Sequence, residues 1–124
     1  MIKKYRREKN LQEAVKKAIK LRYGTNVWYY HPREAAGGRK AIMDNILCCW
    51  GIFVAIEVKR DLENKGLTRL QKHNMDLVKR AGGFTIEADT VDQVMRGLKY
   101  IVENTPHILK QLKGADYARS RNNR

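Results

Sequence analysis

Ile52-Phe53-Val54-Ala55-Ile56-Glu57-Val58-Lys59 is the stretch that decides how this chain is read. In a strand, alternate side chains face opposite sides of the sheet. Ile52, Val54, Ile56 and Val58 then form one β-branched row suited to a core. Phe53, Ala55, Glu57 and Lys59 fall on the other face, with the acid and the lysine about 6 to 7 Å apart. The residues before this stretch, Ile42 to Cys49, read as a second strand folded back over a turn at Trp50-Gly51. That register sets Cys49 against Ile52, Cys48 against Phe53 and Asp44 against Glu57, and directly opposed residues share a face. Trp50 is a poor type I′ turn residue, so a bulge that shifts the pairing stays open at this point.

Outward from this hairpin the chain alternates helix and strand signals. Leu11, Val15, Ala18 and Ile19 recur at helical spacing from Glu8 to Arg22, and Gly24 ends that helix. Asn26 to His31 is rich in Val, Trp and Tyr and reads as a strand, with Trp28 expected in the core. Pro32 to Lys40 is a loop, and Arg60 to Leu67 is a polar connection. Thr68-Arg69-Leu70-Gln71 has capping-box form and predicts a helix from Thr68, with Leu70, Leu77, Val78 and Ala81 as its apolar face. Gly82-Gly83 stops it before a short strand, Phe84 to Ala88. Thr90 opens a last helix with Val94, Leu98, Ile101 and Val102 inward and Pro106 at its close. The order α-β-β-β-α-β-α implies an α/β fold, a mixed central sheet flanked by helices. Residues 1–106 are expected to form one domain and 107–124 a basic tail.

A chain of 124 residues is long enough for one real core. No apolar run approaches the roughly 20 residues that cross a bilayer, so the expectation is an intracellular protein with no membrane partner. Cys48 and Cys49 are adjacent, poor geometry for a disulfide, and are expected reduced on opposite faces of a strand. His31, His73 and His107 make no zinc-ligand spacing with them. The net charge of +13 is the strongest compositional signal. An excess of that size attracts polyanions, nucleic acid foremost.

Charge says nothing of chemistry, but the hairpin does. Two opposed carboxylates repel unless a cation lies between them. Oxygen ligands suit Mg²⁺ or Mn²⁺, which keep positions open for water and a phosphate oxygen. Lys59 lies close enough to orient an attacking water or to neutralise developing charge. These parts fit phosphodiester hydrolysis. The same spacing also fits a structural acid pair beside a surface lysine.

Asp44 followed by Glu57-Val58-Lys59 in a hydrophobic strand resembles the PD-(D/E)xK nuclease signature. The wider series is similar to the VRR-NUC family, the virus-type replication-repair nucleases often found as small stand-alone phage proteins. It comprises Glu8-Lys9-Asn10-Leu11, Gly38 to Asp44, Gly51 to Lys59, Thr68 to Gln71 and Ala81-Gly82-Gly83. The resemblance implies a restriction-endonuclease-like core. It further implies that Asp44, Glu57 and the main-chain carbonyl of Val58 bind Mg²⁺ or Mn²⁺ and that Lys59 assists catalysis. It also implies an acid from the first helix near the site. Helical phase favours Glu8, on the side of Leu11, Val15 and Ile19, over Glu13, which is expected to point away. Gln71 is placed near the site by the resemblance, and its capping role is an equally good reason for it. Family members usually carry Gly-x-Pro-Asp; here Ala41-Ile42-Met43-Asp44 keeps the carboxylate and lacks Gly and Pro.

The substrate implied is branched DNA, a flap or four-way junction, with a homodimer as one way to serve its two strands. A phage-encoded relative would act in the host cytoplasm. Lys16, Lys17, Lys20, Arg33, Arg39, Lys40, Arg119 and Arg121 are the candidate phosphate contacts, which grip without reading sequence. Tyr29 and Tyr30 suit either strand packing or stacking on unpaired bases. Two alternatives stand beside the nuclease: a catalytically silent nucleic-acid-binding protein, and an interaction module of a replication or packaging assembly.

Overall fold

The computed structural model describes residues 8–32, 43–61 and 66–105. Arg33, Arg39, Lys40, Arg119 and Arg121, the Gly38–Ile42 stretch and the tail lie outside the described residues. Helix α1 spans Glu8–Tyr23, and its buried Leu11, Val15, Ile19 and Tyr23 repeat every four residues. Gly24, at φ 57°, enters a 3-10 turn, Gly24–Asn26. Strands β1 (Val27–Tyr30), β2 (Asn45–Cys49) and β3 (Ile52–Val58) follow, then α2 (Arg69–Arg80), β4 (Phe84–Ala88) and α3 (Val91–Glu103). Among the described residues no helix is long and apolar enough to cross a membrane.

The strands lie in the order β1-β2-β3-β4. The first three form an antiparallel meander, and β4 runs parallel to β3 after the crossover through α2. The sheet is therefore mixed, as the element order implies. Cys49 pairs with Ile52, Cys48 with Phe53 and Asn45 with Ile56, the register expected from the sequence. No bulge intervenes at the turn. Trp50 (φ 51°) and Gly51 (φ 85°) both take positive φ, as a two-residue type I′ turn requires. The unfavourable Trp50 conformation is accompanied by an edge-on contact of its ring with Tyr23, centroids 5.6 Å apart.

One face of the sheet is closed. Leu11, Val15 and Ile19 of α1 and Val94, Leu98 and Ile101 of α3 belong to one buried cluster with Leu47, Val54, Ile56 and Val58. The other face carries a smaller cluster, Met43, Ala55, Leu67 and Met75, with Val78 packed against it.

Two expectations fail on this second face. The buried side of α2 is not Leu70, Leu77 and Ala81: the two leucines are 47% and 40% exposed, and Ala81 is the exposed C-cap. Instead Asn74 and Met75 are buried, with Gln71 and Val78 half-buried beside them. The capping box fixes where the helix starts, and its phase brings Gln71 rather than a leucine to the sheet. Trp28 is not core either. It is 61% exposed, because its strand position faces the corner of the sheet that no described element covers.

Candidate active site

The site sits where β2 begins and β3 ends. Asp44 occupies a bend just before β2, and continuing the β2–β3 register brings it to the level of Glu57. The bend turns its side chain onto the neighbouring strand: Asp44 Oδ2 accepts from the Val58 amide at 2.9 Å. Met43, just before the bend, is buried in the smaller cluster.

Glu57 is only 1% exposed. Its Oε1 accepts from Gln71 Nε2 at 2.8 Å, while its Oε2 is buried with no hydrogen-bond partner among the described residues. Burial first, then the adjacent Asp44 charge and the close approach of the Asp44 side chain, push the Glu57 carboxyl up to about 8; Lys59 and the Asp44 backbone pull it the other way. The raising causes are those expected of a buried acid beside a second acid. Lys59 is half-buried just past β3, its amide still bonded to the Ala88 carbonyl at 2.9 Å.

Gln71 resolves the choice left by its sequence position by filling both places. Its Oε1 accepts from the Thr68 amide at 2.8 Å, closing the capping box, and its Nε2 is the group that reaches Glu57. One amide side chain thus ties the start of α2 to the acid.

A cavity of about 460 Å³ opens between α1 and this end of the sheet, where Glu8, Gln12, Glu13, Lys16, Tyr29 and Asp44 are among its walls. Glu8 lies at its mouth and accepts from the Arg60 amide at 3.4 Å. The expectation that Glu13 points away is corrected: it lines the same cavity, since the helix offers the cavity a broader arc than its buried seam. Of the expected phosphate contacts on α1, Lys16 lines the cavity, whereas Lys17 and Lys20 are exposed and not among its walls.

Four residues here were not singled out by the sequence. Lys9 and His31 line the cavity, and His31 Nδ1 bonds to the Asp44 carbonyl oxygen. A carbonyl only accepts, so the ring nitrogen is the donor. Gln12 and the wholly buried Asn45 meet Tyr29: Gln12 Nε2 donates to the Tyr29 hydroxyl at 2.8 Å, and both groups donate to Asn45 Oδ1. Burial pushes the Tyr29 phenol up, so its hydroxyl keeps the proton it donates. Gln12 is one turn from Glu8, and Asn45 follows Asp44; that spacing was the available signal. His31 fits no zinc-ligand spacing, and its bond to the Asp44 carbonyl is made across 13 residues by the fold.

Among the described residues no three His, Cys, Asp or Glu side chains gather as a metal-ligand group. The oxygen donors that could hold a cation are two carboxylates, Asp44 and Glu57, with the Val58 carbonyl following in the chain. That is a sparse set, and it suits Mg²⁺, which keeps several waters and takes one or two carboxylates. The unpartnered Glu57 Oε2 and the mutual repulsion of the two acids are what a cation between them would relieve.

No family model matches the chain, and no curated protein is similar to it. Among solved structures, a chain named VRR_NUC domain superposes with a TM-score of 0.56 at 20% identity, covering 71% of this chain and 94% of its own. The likeness supports the fold: a mixed four-stranded sheet between helices, an α/β restriction-endonuclease-like core.

Proposed function

We propose that this chain is a metal-dependent nuclease that hydrolyses phosphodiester bonds in DNA. One observation carries the reading. Two acids are brought together at the end of the sheet, one of them buried with an unpartnered oxygen, on a nuclease-like core. Asp44, Glu57 and the Val58 carbonyl would hold Mg²⁺ or Mn²⁺, with Glu8 approaching from α1. Bound there, the ion supplies charge stabilisation at the scissile phosphate and a more acidic attacking water.

The protein's own groups do the rest. Gln71 fixes the Glu57 carboxylate through Oε1, leaving Oε2 for the cation. The Val58 amide fixes Asp44 in the same way. Lys59 orients the attacking water and offsets charge that develops on the phosphate. Lys16, Lys17 and Lys20 on α1, together with Arg33, Arg39, Lys40, Arg119 and Arg121, would grip the backbone. Branched DNA is the proposed substrate. If about five phosphates are gripped, raising salt from about 50 to 200 mM weakens binding by two to three powers of ten.

The test is direct: labelled duplex, flap and four-way-junction DNA incubated with Mg²⁺, Mn²⁺ or EDTA, beside Glu57→Gln. Cutting that needs the metal and is lost in the variant supports the proposal. Tight binding by the wild type with no cutting under either metal would replace it with a silent nucleic-acid-binding protein. The absence of a third converging carboxylate among the described residues is the observation that favours that second reading.

A further inference from the structure

The open corner of the sheet is chemically unlike the rest of the surface. Trp28 and Tyr30 lie on one face of β1, 61% and 48% exposed, and their rings already stack, with centroids 5.8 Å apart and planes 20° from parallel. Trp28 pairs with Cys48, and Cys48 with Phe53; Cys48 is exposed and Phe53 is 42% exposed. Large aromatics left together in water mark a contact surface.

The register places this surface beside the acids. Tyr30 pairs with Ile46, two residues along β2 from Asp44. Continuing that ladder one residue past the start of β2 sets the Asp44 backbone diagonal to Tyr30, about 7 to 8 Å away. Trp28 lies one further repeat away, about 7 Å along the strand. The patch is thus within a few nucleotides' reach of a phosphate bound at the Asp44–Glu57 end of the sheet.

Two occupants compete for such a face, and charge separates them. The described part of the patch is uncharged, while the whole chain carries +13. A second copy brings the same excess and is repelled; a polyanion neutralises it. We propose that Trp28 and Tyr30 form a stacking platform for unpaired bases flanking the site, so that the partner is DNA with a single-stranded arm. Every base has a face to stack, which makes such a platform tolerant of sequence. The inference rests on the nuclease reading in taking DNA as the polymer, and it requires bases free of their own duplex. It therefore gives a reason for choosing flaps or forks over plain duplex.

The experiment uses the full chain in EDTA, so that binding is read without cutting. A labelled blunt duplex and the same duplex with an oligothymidine arm are titrated with wild type, Trp28→Ala, Tyr30→Ala and Trp28→Phe. Binding is followed by anisotropy and by tryptophan emission. We expect the arm to raise wild-type affinity and Trp28→Ala to lose about tenfold on armed DNA. Its affinity for blunt duplex should not change, and Trp28→Phe should recover most of the loss. Emission should be quenched by armed DNA in the wild type, and that quench should vanish in Trp28→Ala. Thermal melts confirm that these exposed substitutions leave the fold intact. Equal binding of armed DNA by wild type and Trp28→Ala overturns the platform. So does a wild-type dimer in sedimentation that Trp28→Ala dissociates, which would give the face to a second copy. Failure to cut DNA in the metal experiment removes the nuclease reading and leaves this result standing, and the converse also holds.

Discussion

The closed face of the sheet stacks Leu47, Val54 and Ile56, each no more than 1% exposed, beneath two helices. The open face holds Ala55 and Glu57 beneath part of one helix and leaves Trp28, Tyr30 and Phe53 in water. The same strands build both, because side chains alternate. The closed face buries aliphatic area and holds the fold. The open face gives up that burial and keeps an acid out of water, with the Gln71 amide on one of its oxygens and no ion pair among the described residues, a costly arrangement.

The sharpest way to break the contrast is Glu57→Gln. On the proposed mechanism it lowers metal-dependent cutting at least about a hundredfold. It should also stabilise the metal-free protein at pH 8. The Glu57 carboxyl is raised from an ordinary 4.5 to about 8, so between those values the folded state holds a proton that the unfolded state has released. Stability therefore falls as pH rises through that window, and the slope should flatten in the variant. Thermal unfolding in EDTA at pH 5, 6.5 and 8 reads this. Adding Mn²⁺ should raise the wild-type midpoint more at pH 8 than at pH 6, since less proton has to be displaced. A wild-type midpoint insensitive to pH would place the acid in a wetter setting than its burial indicates.

A second comparison sets Leu47→Ala against Phe53→Ala. Leu47 is fully enclosed on the closed face and should cost about 3 kcal/mol. Phe53, 42% exposed on the open face, should cost less than about 1 kcal/mol. Urea unfolding measures both. Equal losses would mean that the open corner is covered.

The closed face was legible in the sequence because its grammar is periodicity. Leu11, Val15 and Ile19, and Val94, Leu98 and Ile101, are buried where their spacing puts them. The hairpin register was legible for the same reason: period two and a short turn leave little choice. The acid pair follows from that register. What misled was the assumption that a large apolar residue is inside. Leu70, Leu77 and Trp28 obey no rule that says which half of a sheet face a helix covers, since coverage depends on where α2 crosses. Gln71 was readable as a cap, and its second bond to Glu57 needed the fold. The Gln12–Tyr29–Asn45 cluster joins three elements up to 33 residues apart, a distance at which local pattern carries no signal.

The two glycines packed against the sheet extend the comparison to smaller effects. A Cβ at Gly83 would meet the Phe53 carbonyl at 3.0 Å and Val78 Cγ1 at 2.7 Å. The carbonyl belongs to β3 and cannot move without disturbing the sheet, so Gly83→Ala should cost about 2 kcal/mol. A Cβ at Gly97 in α3 would meet three atoms of the buried, β-branched Ile86: Cδ1 at 2.8 Å, Cγ1 at 3.0 Å and Cγ2 at 3.3 Å. There a helix-propensity gain of up to about 1 kcal/mol offsets only part of the crowding, so Gly97→Ala should cost about 1 kcal/mol, less than Gly83→Ala. Denaturant midpoints that reverse this order would mean that the closed face tolerates less adjustment than the open one.

Tyr29→Phe is the smallest change and separates scaffold from site. It removes a hydroxyl that donates to Asn45 Oδ1 and accepts from Gln12, while the ring and its place beside Lys16, 6.0 Å from ring centroid to Nζ, are kept. Gln12 still reaches Asn45, so the stability loss should be about 1 kcal/mol. If the cluster only holds α1 down, cutting by the folded fraction stays at the wild-type rate. If it sets the approach of Glu8 to Asp44, cutting falls severalfold, and more Mn²⁺ is needed for half-maximal rate. A metal titration of the rate distinguishes the two, because a loose scaffold lowers the amount of active protein without moving the metal midpoint, whereas a displaced Glu8 moves it.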